Sequence, residues 1–100
     1  MEITKILKDK TCTFKLEGRL DTLTSPQLED ALKEVPEDAE QLVLDLKDLE
    51  YVSSAGLRVF LNAQKNMAGK GEMILRNVND EIMDVLEMTG FTQILTIEKE

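Results

Sequence analysis

Histidine is absent from this chain of 100 residues, and cysteine occurs once. Without histidine, the chain lacks the usual general base, the base of Ser/His and Cys/His nucleophile pairs, and the commonest metal ligand. The single cysteine, Cys12, can form neither an intrachain disulfide nor a thiolate metal cluster. These absences argue against most hydrolytic chemistry, and we expect no catalytic residue, no metal site and no cofactor.

The position of Cys12 indicates a structural thiol. Cys12 shares one face of a predicted strand with Phe14 and Leu16. Buried free cysteine behaves as a small hydrophobic residue, so we expect this thiol in the core and not at a reactive site.

Long apolar runs are also missing from the chain. No segment approaches the apolar length needed to cross a membrane. Residues 1–8 alternate Ile3, Lys5 and Leu7 with charged or polar neighbours, and they lack the apolar stretch and the cleavage site of a signal peptide. We therefore expect no membrane association and a cytoplasmic location.

Basic residues are in the minority, since 12 Lys and Arg face 20 Asp and Glu, for a formal net charge of −8. Nucleic-acid affinity depends on Lys and Arg displacing counterions from phosphates, so this charge argues against DNA or RNA as a partner. Acidity suits a protein partner with a basic surface, although solubility is the commoner reason for such a charge.

The composition is that of a folded domain. Hydrophobic residues make up 42% of the chain and charged residues 32%, which is outside the range of a disordered chain. No linker, repeat or low-complexity tract divides the sequence. We expect one domain over residues 1–100.

The first part of the chain predicts a β-hairpin. Strands over residues 1–8 and 11–17 are joined at Asp9 and Lys10, and so short a loop is typical of antiparallel pairing. Gly18 is expected to end the second strand.

A helix and a buried strand are predicted next. Ser25 followed by Pro26 predicts a helix start, with serine as the N-cap and proline in the first helical position, and Pro36 is expected to end that helix. Residues 41–46 form a nearly continuous apolar run, which predicts the central strand of a sheet. A short acidic turn is expected after it.

The second half alternates helices and strands. We predict a helix over residues 55–68, a strand over 73–75, a helix capped by Asn79 and ended by Gly90, and a last apolar segment over 91–97. Strand and helix alternation favours parallel pairing, whereas the opening hairpin is antiparallel. The sequence therefore predicts an α/β fold with a mixed sheet.

Ser53 and Ser54 stand at the junction between the predicted central strand and the helix after it. The free amides and positive dipole end of a helix N-terminus favour an anion, including a phosphate group. A hydroxyl there can cap the helix or be phosphorylated. Gly56 is expected to expose the backbone so that a partner or a kinase can approach. From these residues alone capping is the default role, and the alternative is a switch.

With these residues in place, the chain resembles a STAS domain, and specifically the free-standing bacterial anti-sigma factor antagonists. The resemblance spans nearly the whole chain, and its most specific part is Ser53-Ser-Ala-Gly-Leu. It implies a single STAS-like α/β domain, with a small mixed β-sheet and helices packed mainly on one side. The most specific part belongs to a longer matching segment, Leu49-Glu-Tyr-Val-Ser-Ser-Ala-Gly-Leu-Arg58. The other matching segments are Gly18-Arg-Leu-Asp-Thr, the helix after Ser25, Leu42-Val-Leu-Asp-Leu, Gly71-Glu-Met and Thr89-Gly-Phe.

The resemblance implies partner switching. Unphosphorylated antagonists of this family bind an anti-sigma factor, which is also a serine kinase, and so release the sigma factor for transcription. Phosphorylation of one serine breaks that binding, and a metal-dependent serine phosphatase restores it. Ser54 matches the phosphorylated position. Ser53, which stands where many members have aspartate, is the alternative acceptor. We expect a monomer when the protein is free, and no enzymatic activity of its own.

The partner-binding surface is expected around the same junction. Asp21 matches a family position near the phosphorylated serine. Leu23 could also complete this surface, but by hydropathy Leu23 and Leu57 fit a core position better. Arg58 is equally compatible with a solvated charge. The predicted surface residues are Asp21, Thr22, Ser53, Ser54, Gly56, Leu57 and Arg58.

Two other functions remain open. Asp45, in the central strand, could accept a phosphoryl group as in a receiver domain, but the first strands offer no acidic pair to hold Mg²⁺. Asp48 and Glu50 are predicted in a solvated turn. The second alternative keeps the fold, because the chain also resembles STAS-domain subunits of other regulatory, transport or lipid-transfer assemblies.

Overall fold

The computed structural model describes residues 1–99. The strands form one five-stranded sheet in the order β1-β2-β3-β4-β5. β1 pairs with β2 antiparallel, and the other pairs are parallel. The predicted single α/β fold with a mixed sheet is confirmed. In chain order the elements are β1 (Glu2–Lys8), β2 (Thr11–Leu20), α1 (Ser25–Leu32), β3 (Gln41–Val52), α2 (Ser54–Met67), β4 (Glu72–Val78), α3 (Asp80–Met88), a 3₁₀ turn (Phe91–Gln93) and β5 (Thr96–Lys99).

The prediction that Gly18 ends the second strand is wrong. β2 continues to Leu20, and Gly18 lies within it with a φ of 108°. The pairing of β2 with β3 shifts register between Gly18 and Arg19. Glycine adopts positive φ without a steric penalty, so it accommodates a bulge that keeps both strands paired.

β3 is also longer than the sequence predicts. It is central in the sheet, as expected, but it runs for 12 residues and contains no turn after Leu46. Asp48 and Glu50, predicted in a solvated turn, lie in the strand with exposed side chains. The extra length is paired with the second half of β2, where Glu17 lies opposite Asp48.

The core lies between the sheet and the helices. Alternate residues of each strand share one face of a sheet. The hydrophobic core cluster includes Phe14, Leu44 and Leu75, which are fully buried. α2 contacts α1, β3 and β4, and its Phe60 is fully buried. Cys12 is in the same cluster, which confirms the structural thiol, and burial raises the pKa of that thiol.

The predicted N-cap of α1 is wrong. Thr24 occupies the cap position, and Ser25 is the first helical residue. The Ser25 hydroxyl donates to the Asp21 carbonyl at 2.6 Å. α1 ends at Leu32, before Pro36, because the chain passes into turns from Lys33.

The later elements follow the predictions closely. α2 differs from the predicted 55–68 by one residue at each end, and β4 extends beyond the predicted 73–75. Asn79 caps α3, and its side-chain oxygen accepts from the Ile82 amide at 2.8 Å. Gly90, in a left-handed conformation, follows the end of α3.

Candidate functional site

The candidate site lies where β2 and β3 end side by side. Leu20 is paired with Val52 at these ends. The amide of Ser53 donates to the Leu20 carbonyl at 2.8 Å. The loop that follows β2 and the first turn of α2 are therefore held next to each other.

The two serines of the junction occupy different positions. Ser53 is the N-cap of α2, and its hydroxyl accepts from the Gly56 amide at 3.3 Å. Its carbonyl accepts the first helical hydrogen bond, from Leu57 at 2.9 Å. Ser54 is the first helical residue and is exposed, and within residues 1–99 its hydroxyl makes no hydrogen bond. Capping therefore occupies Ser53 and leaves Ser54 accessible.

Gly56 has a structural role that differs from the predicted one. It is buried, and a Cβ atom there would lie 2.7 Å from the Leu20 side chain and 2.9 Å from Val52 Cγ2. Gly56 thus lets α2 approach the ends of β2 and β3 closely, and it does not expose the backbone to a partner. Leu57 is buried in the core as well, so neither residue can form the outer surface as predicted.

The loop after β2 is fixed by its own side chains. The Asp21 carboxylate accepts from the amides of Leu23 and Thr24, both at 3.0 Å. The Thr24 hydroxyl donates to the Arg19 carbonyl at 2.7 Å and accepts from the Asp21 amide at 2.9 Å. The hydrogen bond from the Thr24 amide to the carboxylate lowers the pKa of Asp21. The bonds that the carboxylate accepts from the Thr24 hydroxyl and the Leu23 amide act in the same direction. Asp21, one of the predicted partner contacts, is half-buried and closes this loop.

The loop between β2 and α1 exposes a large apolar side chain. Leu23, expected in the core, is 89% exposed. Thr22 and Arg58 are exposed as predicted, and with Ala55 they line a shallow depression between the starts of α1 and α2.

Sequence reasoning missed Arg19 and Tyr51 at this edge. They are paired across β2 and β3, and the Arg19 guanidinium lies 4.3 Å from the centre of the Tyr51 ring. Tyr51 remains 41% exposed. Both residues fall inside the segments that carry the family resemblance, but their contact depends on the sheet register, which those segments do not specify.

Asp45 is hydrogen-bonded to two neighbouring groups. Its carboxylate accepts from the Lys47 amide at 3.1 Å and from the Asn77 side chain at 3.0 Å. Nowhere in the described part of the chain do three or more His, Cys, Asp or Glu side chains form a group that could hold a metal ion.

None of the helices within residues 1–99 is long and apolar enough to span a bilayer.

Comparison with known proteins identifies the family. A family model described as "Mlab, STAS domain" matches residues 3–96. The chain belongs to the STAS domain family. An anti-sigma-B factor antagonist of Listeria monocytogenes is 34% identical over 84 residues, which cover 81% of this chain and 73% of that protein. The anti-sigma-B factor antagonist of Staphylococcus aureus is 27% identical over 101 residues, with coverages of 99% and 94%.

Solved STAS structures share the fold of the chain. An anti-sigma factor antagonist from Mycobacterium paratuberculosis superimposes with a TM-score of 0.86 at 20% identity, over 99% of this chain and 87% of that one. The Bacillus cell fate determinant SpoIIAA in its phosphorylated form superimposes with a TM-score of 0.71 at 17% identity, over 99% and 93%. These likenesses confirm the predicted STAS fold.

Proposed function

We propose that this STAS domain is an anti-sigma factor antagonist whose binding is controlled by phosphorylation of Ser54. The exposed Ser54 hydroxyl, which is free of hydrogen bonds within residues 1–99, is the observation that carries the proposal. The names of the Listeria and Staphylococcus relatives support the role. The partner is an anti-sigma factor that also acts as a serine kinase, and a metal-dependent serine phosphatase reverses the modification.

The proposed working unit is a single domain over residues 1–100, monomeric when free and located in the cytoplasm. It binds and is modified, and it performs no catalysis of its own. Thr22 and Arg58, exposed beside Ser54, complete the surface that the partner covers. Gly56 and Leu57 support this surface from beneath.

Ser54 is more accessible to a kinase than Ser53. The Ser53 oxygen accepts a hydrogen bond from the Gly56 amide, and loss of such a cap costs about 1 kcal/mol. Ser53 is only half-exposed, whereas Ser54 is exposed and its hydroxyl makes no hydrogen bond within residues 1–99.

A phosphate on Ser54 acts on the partner and leaves the fold intact. It adds about −1.5 to −2 charges and three acceptor oxygens. Its interaction with the start of α2 is favourable by about 0.3 to 1 kcal/mol, whereas inverting a two-state equilibrium needs about 5.5 kcal/mol. Like-charge contact or a buried unpaired charge at an interface costs several kcal/mol. The switch therefore works by disrupting the docked surface.

Phosphorylation of the purified protein tests the acceptor. The protein is incubated with ATP and, one at a time, with each histidine-kinase-like serine kinase from its genome, and the modified peptide is located by mass spectrometry. We expect one kinase to place a phosphate on Ser54. A phosphate on Ser53, or none with any kinase, would contradict the proposal.

Binding of substituted proteins to that kinase tests the switch. We expect Ser54→Ala to bind as well as the unmodified protein and to resist phosphorylation. Ser54→Asp places a negative charge at the interface and should weaken binding by about tenfold or more. Ser53→Ala is the matched control, because it removes the cap but not the acceptor. Equal binding of Ser54→Ala and Ser54→Asp would refute the switch.

A further inference from the structure

Leu23 is the most exposed large apolar side chain in the described part of the chain, at 89%. It lies between Thr22 and Thr24 in the loop that connects β2 to α1. Exposed apolar surface at a structured position is unfavourable in the free protein, and its burial against a partner is a favourable contribution to binding. An explanation is needed for a leucine kept out of the core.

Hydrogen bonds hold the backbone of the loop that carries this side chain. Asp21 accepts hydrogen bonds from the Leu23 and Thr24 amides at 3.0 Å, so the backbone of Leu23 is itself anchored. The Ser25 amide and hydroxyl both donate to the Asp21 carbonyl, at 2.8 and 2.6 Å. A partner that binds Leu23 therefore pays little conformational entropy to order the loop.

The loop that carries Leu23 lies beside the start of α2, where Ser54 is the first residue. The loop begins at the end of β2, where the Leu20 carbonyl accepts from the Ser53 amide at 2.8 Å. Thr22, next to Leu23, lines a depression together with Ala55, next to Ser54. The loop that carries Leu23 and the helix start that carries Ser54 are therefore neighbours, and one partner surface can cover both.

We propose that Leu23 is the apolar anchor of the docking surface and inserts into an apolar pocket of the anti-sigma factor. This inference rests on the proposed function and names the side chain that contributes most to binding of the anti-sigma factor. Burial of Leu23 brings the partner over Ser54, so that a phosphate there meets a desolvated contact. The anchor supplies the affinity, and the neighbouring serine makes that affinity sensitive to phosphorylation.

The test compares two equally exposed apolar residues. Met88, at the end of α3, is 86% exposed and lies outside the loop and the Ser54 edge. The probe is the purified kinase that phosphorylates Ser54, and affinities are measured by calorimetry. We expect Leu23→Ala to weaken binding by about tenfold or more, and Met88→Ala to change it by less than about twofold. Leu23→Met, which keeps an apolar side chain, should bind within about threefold of the original.

Each outcome separates the inference from the proposed function. If the unmodified protein binds the kinase and Leu23→Ala binds equally well, the anchor is refuted and the phosphorylation switch is not. If Met88→Ala is weakened as much as Leu23→Ala, apolar exposure in general drives binding and the inference fails. If no candidate kinase binds the unmodified protein, both fail. Unfolding temperatures of the Leu23 variants should match the original, because the side chain lies outside the core.

Discussion

Two adjacent serines perform different tasks because one residue separates a cap from a helix. Ser53 keeps an extended backbone with a ψ of 175°, so its side chain turns back to the Gly56 amide. Ser54 is the first residue of α2, and its exposed hydroxyl makes no hydrogen bond within residues 1–99. A phosphorylatable hydroxyl is thus available without any loss of helix capping.

Gly56 limits which residues the first turn of α2 can tolerate. A Cβ there would approach the buried Leu20 and Val52 side chains to within 3 Å. Val52 is β-branched and adjusts poorly. We expect Gly56→Ala to lower the free energy of unfolding by up to about 2 kcal/mol, since overpacking costs about 1 to 3 kcal/mol and alanine in a helix regains about 1 kcal/mol.

Urea denaturation of Gly56→Ala measures this effect. Asn66→Ala, an exposed position of the same helix, is the matched control and should leave the free energy of unfolding within about 0.5 kcal/mol of the original or raise it slightly. A gain in stability for Gly56→Ala would contradict the close packing of α2 on β2.

The residue types in the sequence located the junction, but they did not predict which of its residues are exposed and which are buried. The Ser-Ser-Ala-Gly pattern was sufficient to predict a helix start at residues 53–55. Hydropathy placed Leu23 in the core, because it carries no information on the Asp21 hydrogen bonds that hold the loop. The packing role of Gly56 required the positions of Leu20 and Val52, which come from other parts of the chain.

At the scale of elements, the unusual length of β2 and β3 brings like charges together. Glu2 on β1 lies opposite Glu17 on β2, which lies opposite Asp48 on β3. Like charges directly opposite each other in a sheet are destabilising. A side-chain hydrogen bond with Glu2, and the charges of Glu2, Asp48 and Glu50, raise the pKa of Glu17.

The acidic row of Glu2, Glu17 and Asp48 is expected to lower the stability of the fold in a pH-dependent way. A folded-state pKa above the unfolded value means that the folded protein binds more protons, so stability falls as pH rises through that interval. We expect Glu17→Gln to raise the thermal midpoint at neutral pH. The difference should shrink as pH falls below the ordinary glutamate pKa, about 4.3.

Thermal denaturation of Glu17→Gln at several pH values checks the prediction. Glu37→Gln, in the exposed loop before β3, removes the same charge without a cross-strand neighbour and serves as the control. A midpoint for Glu17→Gln that equals the control at every pH would show that the row carries no repulsion.

The sequence predicted which elements exist better than it predicted their lengths. The apolar run of residues 41–46 was sufficient for a central strand. The polar residues Lys47 and Asp48 suggested a turn, but β3 continues through both of them with exposed side chains, and Asp48 is paired with Glu17 of β2. Bulges in β2, at Lys15 to Glu17 and at Gly18, allow this pairing and leave no clear sequence signal.

The whole molecule already carries a formal net charge of −8, so a phosphate changes that net charge little. The charge in the immediate surroundings of Ser54 changes much more. Phosphorylation of Ser54 should leave the fold unchanged. We expect shifts in amide nuclear magnetic resonance spectra to be confined to the loop at 21–24 and the start of α2. Shifts throughout β4, on the far side of the central strand, would contradict a switch that acts only at the surface.

The overall architecture was predictable because local signals agree with each other. A two-residue hairpin loop gave the antiparallel pair, and alternating strands and helices gave the parallel ones. The close packing of the loop after β2 on the start of α2 was not predictable, since it joins residues distant in the sequence. The candidate site depends on that packing, so its exposed members became clear only in the structure.

The ring of Tyr51 beside Arg19 has a practical consequence. It is the only tyrosine of a chain that contains no tryptophan, so ultraviolet fluorescence from the native protein originates almost entirely at this one corner. Quenching or enhancement of that emission would report occupancy of the neighbouring surface in real time, without any attached dye. The domain thus carries its own optical probe at the position where its regulation is expected.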